Sequence, residues 1–262
     1  YDGIEFRNFT ITDGLPNLFI TTILEQRGRP GTMWMGTIAG GIVRREGDKC
    51  TSVPVGNNNL TAFRQDGTGT LWCSTQNHVY RIRDDSAVVF EGISDRVIDI
   101  QTMGDSMVVF LTRGEILLYQ IQNHTLGRQR LDLAKNEFTS TMFVDNEGII
   151  WLITSKGRVG RMTAGGVSFR QLDRTLVLSD NIPSNIIDDG HGTLWLTVPK
   201  GILRIDKATF ASTIIDEPGK RYTILSGPIM LDRERNVWIG TTGDGLLKLT
   251  DQRVLRIPIG QL

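Results

Sequence analysis

The chain is divided into short apolar segments of four to six residues, each bounded by Gly, Asp, Asn or Ser. Phe19–Leu24, Val97–Ile100 and Thr139–Val144 are such segments, as are Ile202-Leu203-Arg204-Ile205 and Leu246-Leu247-Lys248-Leu249. Others alternate apolar and polar residues, as in Val167-Ser168-Phe169-Arg170-Gln171-Leu172, the period of a strand with one buried face. No stretch of ten or more residues carries a helical period with caps at its ends. The pattern predicts an all-β fold of many short strands.

Tryptophan sets the period. Trp34, Trp72, Trp151, Trp195 and Trp238 are separated by 38, 79, 44 and 43 residues, and the double gap places a sixth unit on Val109, where the tryptophan is lost. Three residues after each anchor stand Thr37, Thr75, Thr112, Thr154, Val198 and Thr241; three before stand Gly31, Gly69, Ser106, Gly148, Gly192 and Arg235. Six before, an aspartate occurs in four units, as Asp66, Asp145, Asp189 and Asp232. In the resulting D-x-x-G-x-x-W-x-x-T unit the aspartate bonds its own turn and the glycine takes a left-handed conformation. A strand precedes that turn and three follow the Asp-x-x-Gly element. Four short antiparallel strands in about 40 residues is the signature of a β-propeller blade. Six four-stranded blades are expected over residues 17–54, 58–92, 95–133, 137–172, 182–216 and 222–258 of one propeller or propeller fragment spanning 1–262. Their inner strands should begin near Phe19, Leu60, Val97, Thr139, Asn185 and Ile224, with residues 1–10 ending a preceding blade. The five tryptophans are wedge-fillers between sheets, and the repeated Asp, Gly and Thr residues are blade architecture.

Composition narrows the function classes. The 262 residues are 39% hydrophobic and 22% charged, which gives a folded chain with a real core. Lys+Arg and Asp+Glu both total 29, so the bulk charge of a nucleic-acid or anionic-membrane binder is absent. The longest apolar run, Met107–Leu111, is far too short to cross a bilayer. Cys50 and Cys73 fall on strands of different blades and are expected to be free thiols. His78, His124 and His191 belong to different blades, so neither a metal site nor a cofactor site is expected. The acid pairs Asp84-Asp85 and Asp188-Asp189 fall at blade turns, and no nucleophile elbow, zincin motif or phosphate loop occurs, so no catalytic residue is assigned. Arginine outnumbers lysine 22 to 7, read here as decoration of solvent-facing strand positions such as Arg44, Arg81 and Arg83. The abrupt start at Tyr1-Asp2-Gly3 suggests a piece of a longer protein.

Two segments carry a family resemblance. Trp238-Ile239-Gly240-Thr241-Thr242-Gly243-Asp244-Gly245-Leu246 resembles the W-I-G-T-x-x-G-G-L core of the two-component regulator propeller repeat, and Trp34-Met35-Gly36-Thr37-Ile38-Ala39-Gly40-Gly41-Ile42 resembles it nearly as well. Phe6–Asn17 looks like the family's blade-to-blade junction, and Tyr1-Asp2-Gly3 like the end of its third strand. The resemblance implies the extracytoplasmic, periplasmic sensor region of a bacterial hybrid two-component histidine kinase, in a family whose members often close seven blades. It also implies a small polar ligand such as an oligosaccharide, neighbouring propeller or sensor domains of the same chain as partners, and compatibility with a homodimer. Sialidase Asp-boxes, WD40 repeats and quinoprotein motifs fit less well. A protein-docking scaffold is the second reading; a carbohydrate-active enzyme or lyase is the third.

The loops joining second to third strands vary most between units, as expected where loops carry specificity on a repeated frame. Their polar members, Gln76, Asn77, His78, Arg113, Lys156, Arg158, Lys200 and Asp244, form the candidate ligand site, with Arg113 and Arg158 able to hold an acidic group.

Overall fold

The computed structural model describes residues 9–55, 60, 62–172, 185–198, 201–215, 228–232, 234–241, 245–250 and 253–257. It contains six four-stranded antiparallel sheets, each a simple meander with strands in sequence order: an all-β, β-propeller architecture. Blade 1 is built from Ile20–Glu25, Thr32–Thr37, Gly41–Glu46 and Lys49–Val53; blade 2 from Ala62–Gln65, Leu71–Ser74, Val79–Arg83 and Ser86–Val89. Blade 3 takes Asp99–Met103, Met107–Leu111, Glu115–Gln120 and Thr125–Arg130; blade 4 takes Thr139–Val144, Ile150–Thr154, Arg158–Thr163 and Gly166–Gln171. Blade 5 comprises Ile186–Asp188, Thr193–Val198, Gly201–Asp206 and Ser212–Ile215, and blade 6 comprises Ile229–Leu231, Val237–Gly240, Leu246–Thr250 and Arg253–Ile257. One short 3₁₀ turn, Ile11–Asp13, precedes them. The chain divides into two compact units, Tyr1–Arg128 and Gln129–Leu262.

The expected inner strands begin within two residues of their predicted starts in blades 1 to 5; in blade 6 the predicted start, Ile224, lies outside the described residues, and the described strand is Ile229–Leu231. The expected strand at Ile4–Phe9 lies, apart from Phe9, outside the described residues. Every tryptophan sits on the second strand of its blade, as the repeat predicts. Trp34, Trp72 and Trp151 are 3% exposed or less, whereas Trp195 and Trp238 are half-buried, so the wedge is complete in three blades.

Within each unit a tryptophan packs forward onto the next blade. Trp34 joins Phe63, Leu71 and Ile82 of blade 2, and Trp72 meets Phe110 and Tyr119 of blade 3. In the second unit Trp151 packs with Leu194, Leu196 and Phe210 of blade 5, and Trp195 packs with the core of blade 6. Each ring thus fills the wedge that opens between two twisted sheets.

The turn before each tryptophan strand does more than reverse the chain. Gly69, Gly148 and Gly192 hold φ of 87°, 76° and 89°, the left-handed region the repeat requires, and Arg235 takes φ 67° in the same place in blade 6. The upstream aspartate accepts turn N–H groups through one oxygen and the tryptophan indole N–H through the other. The indole distances are 2.7 Å for Trp72 to Asp66, 2.9 Å for Trp151 to Asp145, 3.1 Å for Trp195 to Asp189 and 2.7 Å for Trp238 to Asp232. Blade 1 has no such aspartate, and Gln26 Oε1 accepts from Trp34 at 3.0 Å. A buried indole N–H needs an acceptor, and the six-residue spacing supplies it.

A third residue completes the device. The cross-strand partner of each tryptophan on the third strand is basic: Arg44 for Trp34, Arg81 for Trp72, Arg161 for Trp151, Arg204 for Trp195 and Lys248 for Trp238. Four of these cations lie 5.1–5.9 Å from the ring centroid. Arg44 and Arg81 are therefore half-buried stacking partners rather than solvent decoration, whereas Arg83 is exposed. Cys50 lies on the outer strand of blade 1 and Cys73 on the second strand of blade 2; both are free, and burial pushes the Cys73 thiol pKa upward.

Candidate functional site

The second-to-third-strand loops of blades 1, 2, 3 and 6 share one fastening, while in blade 4 Thr154 donates to Glu137 and accepts from the Arg158 N–H, and blade 5 has Val198 in the threonine's place. Thr75 Oγ1 donates to the His78 carbonyl at 3.2 Å and accepts from the His78 N–H at 3.1 Å; Thr112 does the same with Glu115 at 3.3 and 3.1 Å. Thr37 and Thr241 donate to the carbonyls of Gly41 and Gly245 at 3.0 and 2.7 Å. The repeated threonine is thus the knot of the loop, a role that β-propensity alone does not reveal.

On this fixed frame the candidate residues differ in state. Gln76, Asn77 and His78 are exposed on one loop of blade 2, and Arg113 is exposed on the corresponding loop of blade 3. Lys156 is exposed in blade 4, its ammonium donating to the Lys135 carbonyl at 2.7 Å. Arg158 is committed inside the protein. Its Nε donates to Glu137 Oε1 at 2.8 Å and its Nη2 to Oε2 at 2.6 Å, while the guanidinium lies 4.5 Å from the Phe169 ring centroid. Thr154 also donates to Glu137. Burial alone would raise the Glu137 pKa, but the hydrogen bonds from Arg158, Thr154 and the Ala134 N–H, with the Arg158 charge, bring it down to about 2. Lys200 and Asp244 lie outside the described residues.

Among the described residues, three clefts open at the opposite end of the blades, where the first-to-second and third-to-fourth turns meet, and none of the six described candidates lines them. The cleft between blades 1 and 2 has a volume of about 240 Å³ and contains Arg44, which pairs with Asp85 at 2.7 Å. The cleft between blades 2 and 3 measures about 410 Å³, and that between blades 4 and 5 about 450 Å³. In the last, Lys207 donates to Asp145 at 2.6 Å and to Asp188 at 2.8 Å, bridging the two blades above the Trp151 ring. Burial would lower the Lys207 pKa and raise that of Asp145. Their mutual hydrogen bond outweighs it only together with the Asp188 carboxylate on Lys207, the Trp151 and Ile149 N–H groups on Asp145 and the opposite charges, so Lys207 is raised and Asp145 lowered. The acid pair Asp188-Asp189 is divided in the same way: Asp188 holds Lys207, while Asp189 holds its own turn and Trp195. His191 meets Arg235, and His124 Nδ1 lies 2.8 Å from the Tyr119 hydroxyl. Among the described residues no group of three His, Cys, Asp or Glu side chains gathers to hold a metal. No helix among them is long and apolar enough to cross a membrane.

No protein-family model and no curated protein matches this chain. Among solved structures it is similar to the extracellular domain of a putative one-component system from B. thetaiotaomicron, with a TM-score of 0.74 and 17% identity over 91% of this chain. The chain spans about a third of that domain's length, 33%. It is similar to a catalytically inactive virginiamycin B lyase from Staphylococcus aureus, with a TM-score of 0.72 and 16% identity over 88% of this chain and 81% of that one. The WD40 propeller domain of Doa1 gives a TM-score of 0.69 and 10% identity over 92% and 83%. At these identities the likeness establishes the propeller fold, which a sensor, a lyase and a WD40 domain all use.

Proposed function

We propose that this chain is a ligand-sensing propeller from the extracytoplasmic, periplasmic part of a bacterial two-component sensor, responding to an oligosaccharide or similar polar ligand and carrying no catalytic centre of its own. The observation that supports this most is the contrast within the second-to-third-strand loops. Threonine fastens the loops of blades 2 and 3 in the same way, yet blade 2 presents Gln76, Asn77 and His78 and blade 3 presents Arg113, while blade 4, whose threonine bonds Glu137, presents Lys156. A repeated frame with divergent exposed polar tips is suited to recognition. The similarity to an extracellular domain of a B. thetaiotaomicron signalling system points the same way. Calorimetry of the whole extracytoplasmic region against an oligosaccharide panel tests the reading. Arg113→Ala should weaken binding of the active sugar, and an unaltered isotherm would remove this loop end from the site.

A protein-docking scaffold is favoured by one feature. Leu18, Phe19 and Ile38 are 55%, 70% and 38% exposed at the same loop end of blade 1, where the Ile38 N–H donates to the Phe19 carbonyl at 3.0 Å. Co-purification of a stable partner lost on Phe19→Ser would support that second reading over the first.

A further inference from the structure

The clefts between blades 2 and 3 and between blades 4 and 5 occupy equivalent positions, and their residues can be matched one to one. Met107 pairs with Gln120 in blade 3 as Thr193 pairs with Asp206 in blade 5, and the next residues, Ile121 and Lys207, each donate their N–H back to the turn below, to Ser106 and Gly192. Three residues further on, His124 and Phe210 both take left-handed φ, 58° and 62°. In the second unit the matched lysine satisfies Asp145 and Asp188, and that cleft carries the acids Glu147, Asp188 and Asp206 beside two cations. In the first unit the lysine becomes Ile121 and the acids disappear, apart from Asp66. The Asp66 carboxylate is 2% exposed and already accepts from Thr68, Thr70 and Trp72.

What remains between blades 2 and 3 is an apolar cleft with cations in its wall. Trp72, Tyr119, Ile121 and Val88 supply the apolar surface, and Val88 is 56% exposed. Arg83 is held by the Thr70 and Thr68 hydroxyls at 2.6 and 3.1 Å. Arg81 is half-buried against the Trp72 and Phe90 rings, at 5.9 and 5.3 Å, and among the described residues its guanidinium makes no hydrogen bond or ion pair. A half-buried guanidinium stacked on aromatic rings, with its fork uncommitted beside an apolar wall, suits a planar anion. The volume, about 410 Å³, falls in the range of small-molecule sites.

We propose that the cleft between blades 2 and 3 binds a small organic carboxylate with an aromatic or branched apolar body, the carboxylate on Arg81 and the body against Val88, Ile121 and Tyr119. This site lies at the opposite end of the blades from the second-to-third-strand loops and does not depend on the sensor reading. Titration of the purified chain with 3-phenylpropionate, followed by calorimetry and by ligand-observed NMR, tests it. The acid should bind saturably in roughly the millimolar range or tighter, while the neutral 3-phenylpropionamide and plain acetate should bind at least roughly tenfold more weakly. Arg81→Gln should abolish the preference for acid over amide. Because that change also touches the Trp72 packing, Val88→Glu serves as a second variant: it alters an exposed side chain, keeps the fold, and sets a like charge at the mouth. Loss of acid binding in Val88→Glu with an unchanged melting temperature supports the site. Equal binding of acid and amide, undiminished binding in both variants, or no saturable binding of the acid overturns it.

Discussion

Blade 4 and blade 3 are neighbours in sequence with the same four-strand meander, yet their sheets are held by different physics. In blade 4 the cross-strand set is Asp145, Trp151 and Arg161; at the matching positions blade 3 has Met103, Val109 and Leu118. All three members are exchanged together. That is what a mechanical unit predicts: an indole N–H without its carboxylate would be a buried unsatisfied donor, and a carboxylate without its indole would be a buried charge short of one partner. Blade 3 replaces the polar clamp with aliphatic packing, and Val108, Val109, Phe110, Leu111, Ile116 and Leu117 are all fully buried. The first compact unit also ends in this blade, at Arg128. A propeller blade therefore tolerates either solution, provided that no buried indole loses its acceptor, as blade 1 shows by serving Trp34 from Gln26.

The largest expected effect breaks the comparison at its centre. Trp151→Ala should cost about 3–5 kcal/mol, because a fully buried ring leaves a cavity and Asp145 loses one of its buried partners. Val109→Ala removes two methyl groups and should cost roughly 2 kcal/mol. Urea melts of the two variants beside wild type measure the difference, and equal losses would mean the two blades are not held differently.

The next effect concerns the loop ends. Arg158 in blade 4 and Glu115 in blade 3 both precede the third strand's first buried apolar residue, and both are ion-paired, with opposite charge. Glu137 is fully buried beneath Arg158, whereas Arg128 is 42% exposed over Glu115. Glu137→Ala should cost about 3–5 kcal/mol by stranding a half-buried guanidinium and Thr154. Glu115→Ala should cost about 1 kcal/mol or less, as exposed pairs do. Chemical denaturation at neutral pH reads both.

Acid sharpens the same contrast. The Glu137 pKa is lowered to about 2 and the Asp145 and Asp232 pKa values are also lowered, so the folded state binds fewer protons than the unfolded chain through the carboxylate range. Their contribution is complete above the ordinary carboxylate pKa and is lost as pH falls towards about 2. Melting temperature should drop over that window. Glu137→Gln, which keeps the shape but not the titration, should shallow the slope; an identical slope would remove Glu137 from the acid response.

Much of this frame was legible in the sequence, because a repeat makes each position visible several times. The tryptophan period, the left-handed glycines, the lost tryptophan at Val109 and the free Cys50 and Cys73 follow from spacing alone. The Asp–Trp bond was written in the constant six-residue spacing, and its co-absence from blade 3 was the signal that could have revealed it. The basic residue opposite each tryptophan was harder to see, because loops of different length separate the two strands and only the register aligns Arg44, Arg81 and Arg161. The commitment of Arg158 to Glu137 was hidden for a related reason: Glu137 precedes the blade's first strand, and nothing local couples the two. The clefts were not legible at all, since they are made by side chains of adjacent blades at the turn ends.

The smallest expected effect tests whether the loop knot is independent of the clamp beside it. Thr112 and Thr154 each close a second-to-third-strand loop, and replacement by valine keeps the volume while deleting the hydroxyl. In blade 3 the hydroxyl exchanges bonds with the backbone of Glu115, both neutral groups, so Thr112→Val should cost about 1 kcal/mol. In blade 4 it accepts from the Arg158 N–H and donates to the ionised Glu137, and a bond to a charged acceptor is worth more, so Thr154→Val should cost about 1.5–3 kcal/mol. The decisive measurement is a double-mutant cycle. Thr154→Val should lose most of its effect in a Glu137→Gln background, whereas Thr112→Val in blade 3, in the other compact unit, should add to Glu137→Gln without coupling. Coupling of Thr112 to Glu137 would mean that the fasteners act through the sheet framework, and that the loop tips they carry cannot be varied one blade at a time.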